Sequence, residues 1–385
     1  MAGGETIICP VVRETENPLL FDGHAYCIPP LDGHGEFAAP EQLRKHLQQA
    51  IAAHYQPPLR SRDGAPGDNG ALMDLANWPS LDSLKEASFR VAVNGRFEWK
   101  VDGEDYFKQY FPPSVTDMQY PADRLVAEMD YAGVGKALLH RVPYLGIGNE
   151  FISECVRKFP TRLMGLAHVE EWLVKSEPEQ SIAKIDTAVN KGGLSGIQFL
   201  PSQMSLYNLN DSWDSPAFQP FWDGIADLKT PVFITLKERA DPKQDSYLNE
   251  VKTLQRWMER YPEVTVVLTH GIQWRLFREG DRLVLPEEVW APFDNPNLHL
   301  QLMFPIALGH VWDYPMPEVR PTIEECVKRI GANRLIWGTD MPIVMRFWTY
   351  QQNIDLFVKH CDFLSDQDRH AIMGGTMARI VGVSC

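Results

Sequence analysis

At 385 residues, 44% of them hydrophobic and 23% charged, the chain has the composition of an ordinary soluble globular protein with a large core. Acidic residues outnumber basic ones by 51 to 37, and the resulting net charge of −14 repels a phosphate backbone, which excludes nucleic acid as a partner. No apolar run reaches the roughly 18 residues of a membrane span, the opening MAGGETIICPVV lacks the pattern of a secretion signal, and six scattered cysteines without a CxxC pair fit a reducing cytoplasm.

In chain order, the first predicted strand is Leu19–Tyr26 (LLFDGHAY). An insertion follows over about residues 35–120, far longer than an ordinary βα connection. It contains the turn-rich stretch Ser61–Gly70 and a predicted hairpin, Phe97–Tyr106, turning at Asp102-Gly103 where glycine supplies positive φ. Its aromatic residues, Phe97, Trp99, Tyr106, Phe107, Tyr110 and Phe111, read first as packing on the body of the fold and second as a substrate lid. A loop of this length covers a site mouth or makes a subunit contact.

From about residue 120 onward, short apolar runs alternate with segments of helical period, the pattern of βα units around a parallel sheet. The predicted strands are Lys136–Val142, Arg162–Val169, Gly196–Pro201, Pro231–Leu236, Val264–His270, Asn297–Phe304 and Arg334–Asp340. Between them lie apolar helical stripes: Phe151, Ile152, Cys155, Val156 and Phe159; Phe218, Phe221, Trp222 and Ile225; Ile323, Cys326, Val327 and Ile330. With the first strand these make eight, the number that closes a (β/α)8 TIM barrel, read here as a single domain over residues 1–385.

In such a barrel the chemistry sits at the C-terminal ends of the strands. Those ends offer Asp22, His24 and Tyr26; His140; His168 and Glu170; Gln198; Thr235 and Lys237; His270; Gln301; and Asp340. Imidazole and carboxylate groups converging from different strands are the ingredients of a divalent metal site. His168 and Glu170 alternate along one strand and so are expected on one side of it. Glu238 and His310 are further candidates near the mouth, and Cys27, without a histidine partner, reads as buried filler.

Several segments together resemble the amidohydrolase-related family that includes aminocarboxymuconate-semialdehyde decarboxylase. They are FDGHAYCIPP at Phe21–Pro30, AEMDYAGVGKALLH at Ala127–His140, FPTRLMGLAHV at Phe159–Val169, SPAFQPFWDGIADLKTPVFI at Ser215–Ile234, VVLTHG at Val266–Gly271, RLIWGTDMP at Arg334–Pro342 and GTMARIVGV at Gly375–Val383. The resemblance implies a metal held by an HxH pair on the first strand, a histidine on the fifth and an aspartate on the eighth, with a sixth-strand histidine as catalytic partner. His24, His270 and Asp340 match that pattern. Tyr26 stands where the second histidine of HxH belongs, and Thr235 where the fifth-strand histidine belongs, which puts the usual mononuclear zinc site in question.

The candidate metal ligands are therefore His24, Tyr26, His168, Glu170, His270 and Asp340, with His270 and Asp340 also the candidate catalytic pair and zinc, iron or manganese the candidate ion. The resemblance implies hydrolysis or non-oxidative decarboxylation of a small organic molecule. A branch of the family that hydroxylates its substrate with non-haem iron or manganese, including the 2-aminoisobutyrate hydroxylase subunits, gives an oxidative alternative, and a non-catalytic barrel partner is the third reading. The expected partners are a small-molecule substrate and either a second copy of this chain or a related barrel subunit.

Overall fold

The computed structural model describes residues 20–237 and 243–383. Leu19 and Glu238, named above, and two of the six cysteines, Cys9 and Cys385, lie outside the described residues. Eight parallel strands form one sheet in sequence order: β1 (Phe21–Ala25), β2 (Lys136–Leu139), β3 (Leu163–His168), β4 (Gly196–Phe199), β5 (Val232–Ile234), β6 (Val266–Leu268), β7 (Leu298–Leu302) and β8 (Leu335–Trp337). The last strand returns to the first, because Tyr26 N–H donates to the Met341 carbonyl at 2.8 Å and Asp340 N–H to the His24 carbonyl at 2.7 Å. The sheet is thus a (β/α)8 barrel, and each expected strand lies at its expected place, shorter by a few residues.

Both faces of these strands are buried, which is why they read as continuous apolar runs. The strand period of two sorts their side chains into two clusters. Ala137, Leu139, Ile197, Phe199, Val232, Ile234, Val266 and Leu268 face the helical layer. Phe21, Leu138, Met164, Leu166, Phe233, Val267 and Ile336 fill the barrel interior, joined by Met377 and Ala378 from the closing helix Thr376–Ile380. Full burial of each large apolar side chain contributes about 1.5–3 kcal/mol, so this plug holds the lower barrel shut and leaves only the strand ends above it for polar groups.

Three helices bear on the site: α1 (Pro40–Ala53), α2 (Ala122–Ala132) and α3 (Asn149–Lys158). The expected stripes of Gln219–Asp227 and Arg320–Ile330 bury Phe221, Trp222 and Ile225, and Ile323, Cys326 and Ile330. Between β1 and α2 the insertion folds as α1 and an antiparallel four-stranded sheet. In its central hairpin Val101 pairs with Glu104, and Asp102 and Gly103 turn at φ of 49° and 82°, as a two-residue hairpin requires. Lys108 of this sheet is buried and donates its ammonium to the carbonyls of Ile51 and His54 and to Asn69 Oδ1, tying the end of α1 to the sheet. Burial pushes that lysine down to about 7. Among the described residues no helix is long and apolar enough to cross a membrane.

Candidate metal centre

A regular β1 would place Asp22, His24 and Tyr26 on one face. Asp22 pairs with Ala137 but Ala25 pairs with Leu139, so β1 carries one residue more than β2 across this interval. Such a bulge reverses the side-chain alternation beyond it. Asp22 therefore faces outward, where its carboxylate accepts from the backbone N–H of His24 and Thr339 and from the hydroxyls of Thr339 and Tyr350. It stitches β1 to β8 and takes no part in the site. His24 and Tyr26 turn inward above the apolar plug. Glycine at 23 permits this packing, because a Cβ there would lie 2.6 Å from Ile336 Cγ2 and 2.9 Å from the Trp337 carbonyl oxygen.

The other two members reach the same place through left-handed backbone. His270 and Asp340 follow β6 and β8 and have φ of 60° and 71°, a conformation costing about 1–3 kcal/mol outside glycine and concentrated at functional sites. One donor atom from each of His24, His270 and Asp340 lies within 4.8 Å of the others. Asp340 Oδ1 is 3.2 Å from His270 Nε2 and 3.5 Å from His24 Nε2. Two ligands about 2.1 Å from a common ion, at tetrahedral or octahedral angles, stand about 3.0–3.4 Å apart, so this donor set fits a divalent metal.

Gln301 on β7 organises the cluster. Its amide nitrogen donates to the Gly23 carbonyl at 2.7 Å, which fixes the amide orientation and leaves Oε1 to accept. That oxygen takes the His270 backbone N–H at 3.0 Å and His24 Nδ1 at 2.9 Å. Nδ1 must therefore carry the proton of neutral His24, and Nε2 presents its lone pair toward Asp340 and toward the Tyr26 hydroxyl, 2.9 Å away. Below lies His140, whose ring stacks on His24 at 3.5 Å between centroids and whose Nε2 donates to the Gly23 carbonyl at 2.9 Å.

Electrostatics agree with this assignment. Burial, followed by the charge of His270, pushes His24 down to about 3 against the opposing pull of Asp340 and Gln301, so it is a neutral ligand at ordinary pH. For Asp340 burial acts upward, but the hydrogen bond and charge of His270, with His24 and Arg346, outweigh it and hold the carboxyl below its usual range. Burial and the Asp340 charge raise the Tyr26 phenol well above its usual range. Tyr26 is a neutral hydrogen-bonding group here. The His270 side chain is 27% exposed while those of His24 and Asp340 are 0% and 5% exposed, so His270 is the face of the cluster that a substrate meets.

The remaining candidates lie elsewhere. Glu170 is past the end of β3 and pairs with Lys184 at 2.7 Å. It does not share the His168 face, because the strand ends at His168 and the alternation with it. His168 stays on the inner wall beside Gln198, with both ring nitrogens unpartnered and Nδ1 4.0 Å from Glu171. Neither joins the three-residue group. Thr235 hydrogen-bonds Thr269 on the next strand. Cys27 is buried, as expected.

Residues of the insertion and of the loops past the strands frame the mouth, among them Tyr110 and His310 of the sequence reading and others, such as Arg346 and Arg275, that it did not single out. Tyr110 of the insertion hydrogen-bonds Tyr144 at 2.8 Å, and both phenols feel the Asp340 charge. Arg346, past β8, lies 5.2 Å over the Tyr110 ring and 3.2 Å from His54 Nε2. Arg275, past β6, stacks on Tyr55 at 4.0 Å, and His310 packs on the same ring at 4.4 Å. The insertion therefore sits over the strand ends. A separate cavity of about 390 Å³, lined by Thr265, Asn297, His299 and Arg334 among others, opens among the strand starts at the opposite end of the barrel and contains none of these groups.

The buried histidines imply an acid-sensitive fold. His24 titrates at about 3 and His46 and His299 at about 4 because of burial, all below the unfolded value of about 6.5. Between those values the unfolded chain binds more protons, so stability is fully present above about pH 6.5 and is lost as pH falls toward 4. Asp22, raised by burial to about 6, and Glu171, raised well above its usual range by burial, oppose the trend but are fewer than the buried histidines. Thermal unfolding of the metal-free protein is expected to show a melting temperature lower by roughly 5 °C or more at pH 4.5 than at pH 7; a flat profile would count against neutral buried imidazoles.

An amidohydrolase family model matches residues 32–383, beginning just beyond β1. No curated protein matches the sequence. Among solved structures, the chain is similar to a probable 2-pyrone-4,6-dicarboxylic acid hydrolase from Acinetobacter baumannii with citric acid bound (18% identity, 69% of this chain and 90% of that one, TM-score 0.53). It is also similar to an uncharacterised TIM-barrel protein from Bordetella bronchiseptica (17% identity, 68% and 82%, TM-score 0.51). A third is a dihydroxybenzoic acid decarboxylase from Polaromonas sp. JS666 with bound manganese and 2-nitroresorcinol (18% identity, 69% and 87%, TM-score 0.50).

Proposed function

Because the chain belongs to the amidohydrolase family, we propose that it is a metal-dependent hydrolase or decarboxylase acting on a small organic anion, with His24, His270 and Asp340 as the metal-binding group. The observation carrying this reading is the convergence of those three donors within 4.8 Å. The manganese of the Polaromonas decarboxylase supports manganese as one candidate ion beside zinc and iron. A bound divalent ion would supply Lewis-acid polarisation of the substrate and an acidified water.

The chain's own residues do the rest. Gln301 holds the His24 tautomer that offers Nε2. Asp340 Oδ1, the atom nearest both imidazoles, would hold the ion together with them, and His270, the most exposed of the three, faces the open side of the site. In the metal-free site Tyr26 is a phenol whose hydroxyl hydrogen-bonds His24 Nε2.

Arg346 and Arg275 stand at the mouth of a protein whose net charge is −14. This local reversal of sign attracts and orients an anionic substrate such as a carboxylate. Small carboxylates should be assayed for carbon dioxide release and for hydrolysis with zinc or manganese supplied. Arg346→Ala is expected to raise KM about tenfold or more with a smaller change in kcat, consistent with loss of a charge-assisted contact of about 1.5–3 kcal/mol. Equal turnover of neutral analogues by the wild type would overturn the anionic assignment.

A further inference from the structure

Across the barrel from β7 and β8, the inner wall of β3 and β4 carries polar groups that the metal centre does not use. On β3, Met164 and Leu166 fill the interior and His168 continues their face. On β4, Ile197 and Phe199 face the helical layer, which turns Gln198 inward. His168 and Gln198 are partners in register on these adjacent strands. The Asn149 side chain fixes the main chain of His168, accepting its N–H at 2.7 Å and donating to its carbonyl at 2.9 Å. Gln198 reaches past the end of β3, and its Oε1 accepts the Arg141 N–H, beyond β2, at 2.6 Å. A backbone N–H can only donate, so the amide orientation is set and both Nε2 hydrogens remain. His140 stands between this wall and the metal centre: its ring stacks on His24 and meets the ring of Phe233, the register partner of Gln198 on β5, edge-on at 5.7 Å.

Four polar atoms of this wall are buried and have no hydrogen-bond partner among the described residues: Gln198 Nε2, both ring nitrogens of His168, and Nδ1 of His140. The neighbouring Glu171 does not supply one, since its Oε1 accepts the Leu200 N–H at 2.8 Å and stays 4.0 Å from His168 Nδ1. Roughly nine-tenths of buried polar groups in proteins are paired, and an unpaired one destabilises the fold, so a row of them beside a metal centre marks a place for ligand atoms. The row is mixed in character. Gln198 offers donors; His140, whose Nε2 donates to the Gly23 carbonyl, offers an acceptor; and neutral His168 offers one of each. It is also uncharged, because burial pushes both histidines well below their usual range, and the adjacent Arg141 sends its guanidinium toward α3, 5.8 Å over the Phe151 ring. An ionised carboxylate, which only accepts, would be set against the His140 lone pair. A hydroxyl, which donates and accepts, uses both kinds of group.

We propose that His168 and Gln198 are specificity-determining residues that bind a hydroxyl group of the substrate on the wall away from the metal ligands. This rests on the reading of the strand ends as the substrate site and adds that the anion bears a hydroxyl which does not touch the ion. Gln198 Nε2 donates to the hydroxyl oxygen, and the hydroxyl donates in turn to the unprotonated ring nitrogen of His168 or to His140 Nδ1. The full burial of both residues makes the selection steep, because an analogue lacking the hydroxyl leaves these atoms unpaired and out of reach of water.

The test is calorimetric titration of the full-length protein, with and without manganese, using pairs of anions that differ by one hydroxyl: lactate and propionate, malate and succinate, 3-hydroxybenzoate and benzoate. In at least one pair the hydroxylated member is expected to bind about tenfold or more tightly than its partner. In His168→Leu and in Gln198→Leu that preference collapses to within about threefold, whereas Arg346→Ala weakens both members of the pair alike. His168→Leu gives up no hydrogen bond of the ligand-free protein and is expected to melt at the wild-type temperature or above it. Should Gln198→Leu, which strands the Arg141 N–H, not fold, His168→Leu decides the matter. Equal affinity within every pair, or a preference that survives His168→Leu, would overturn the hydroxyl subsite and leave the anion-binding mouth standing. Failure of every anion to bind would overturn both.

Discussion

Asp340→Asn is expected to lower divalent-metal affinity by more than about 100-fold, exceeding the 10- to 100-fold typical of losing a group that merely supports a ligand, and to abolish turnover. The substitution preserves shape and removes the charge. Asp340 Oδ1 is the atom nearest both imidazoles, and a neutral amide oxygen there does not balance a dication. The fold is expected to survive, because the buried carboxylate is sustained by neighbouring histidines against an upward push from burial; removing the charge removes that burden. Metal titration and thermal unfolding of the same preparation separate the two effects. Retention of wild-type metal affinity would show that Asp340 is not a ligand.

Gln301→Leu is the second large effect, and it acts at one remove from the ion. The amide satisfies three buried groups, His24 Nδ1–H, the His270 N–H and the Gly23 carbonyl. Leucine leaves the first two without a partner, at about 1–3 kcal/mol each, while the Gly23 carbonyl keeps His140. Without the acceptor, His24 is free to move its proton to Nε2, the nitrogen needed for the metal. Metal affinity is expected to fall 10- to 100-fold, with loss of the Nδ1–H signature of His24 in nitrogen-15 spectra of the metal-free protein. Gln301→Glu, which keeps two acceptor oxygens but not the donor, should restore part of the affinity. An unchanged tautomer in the leucine variant would refute this role.

The barrel was legible because its strands, buried on both faces, leave apolar runs at regular intervals, and because the turn at Asp102-Gly103 needs only local chemistry. His24, His270 and Asp340 were legible as strand-end polar residues. The bulge in β1 was not, since FDGHAY alternates without interruption, and the crowding that requires glycine at position 23 comes from Ile336 and Trp337 of β8, more than 300 residues away in the chain. Asp22 consequently looked like a site residue and is a strut between strands. Glu170 was misjudged for a related reason: alternation holds only while the strand lasts, and β3 stops at His168. Gln301 carried a faint signal, a long amide on an otherwise apolar strand next to a histidine-bearing one. Arg346, Arg275 and His54 carried none, because their convergence depends on how the insertion lies over the mouth.

The most direct measurement is calorimetric titration of the metal-free protein with manganese or zinc, followed by X-ray absorption on the loaded sample. One divalent ion per chain, with scattering from two imidazoles and a carboxylate oxygen, is the predicted outcome. Absence of binding, or an ion whose surroundings contain no imidazole, would contradict a metal centre at His24, His270 and Asp340.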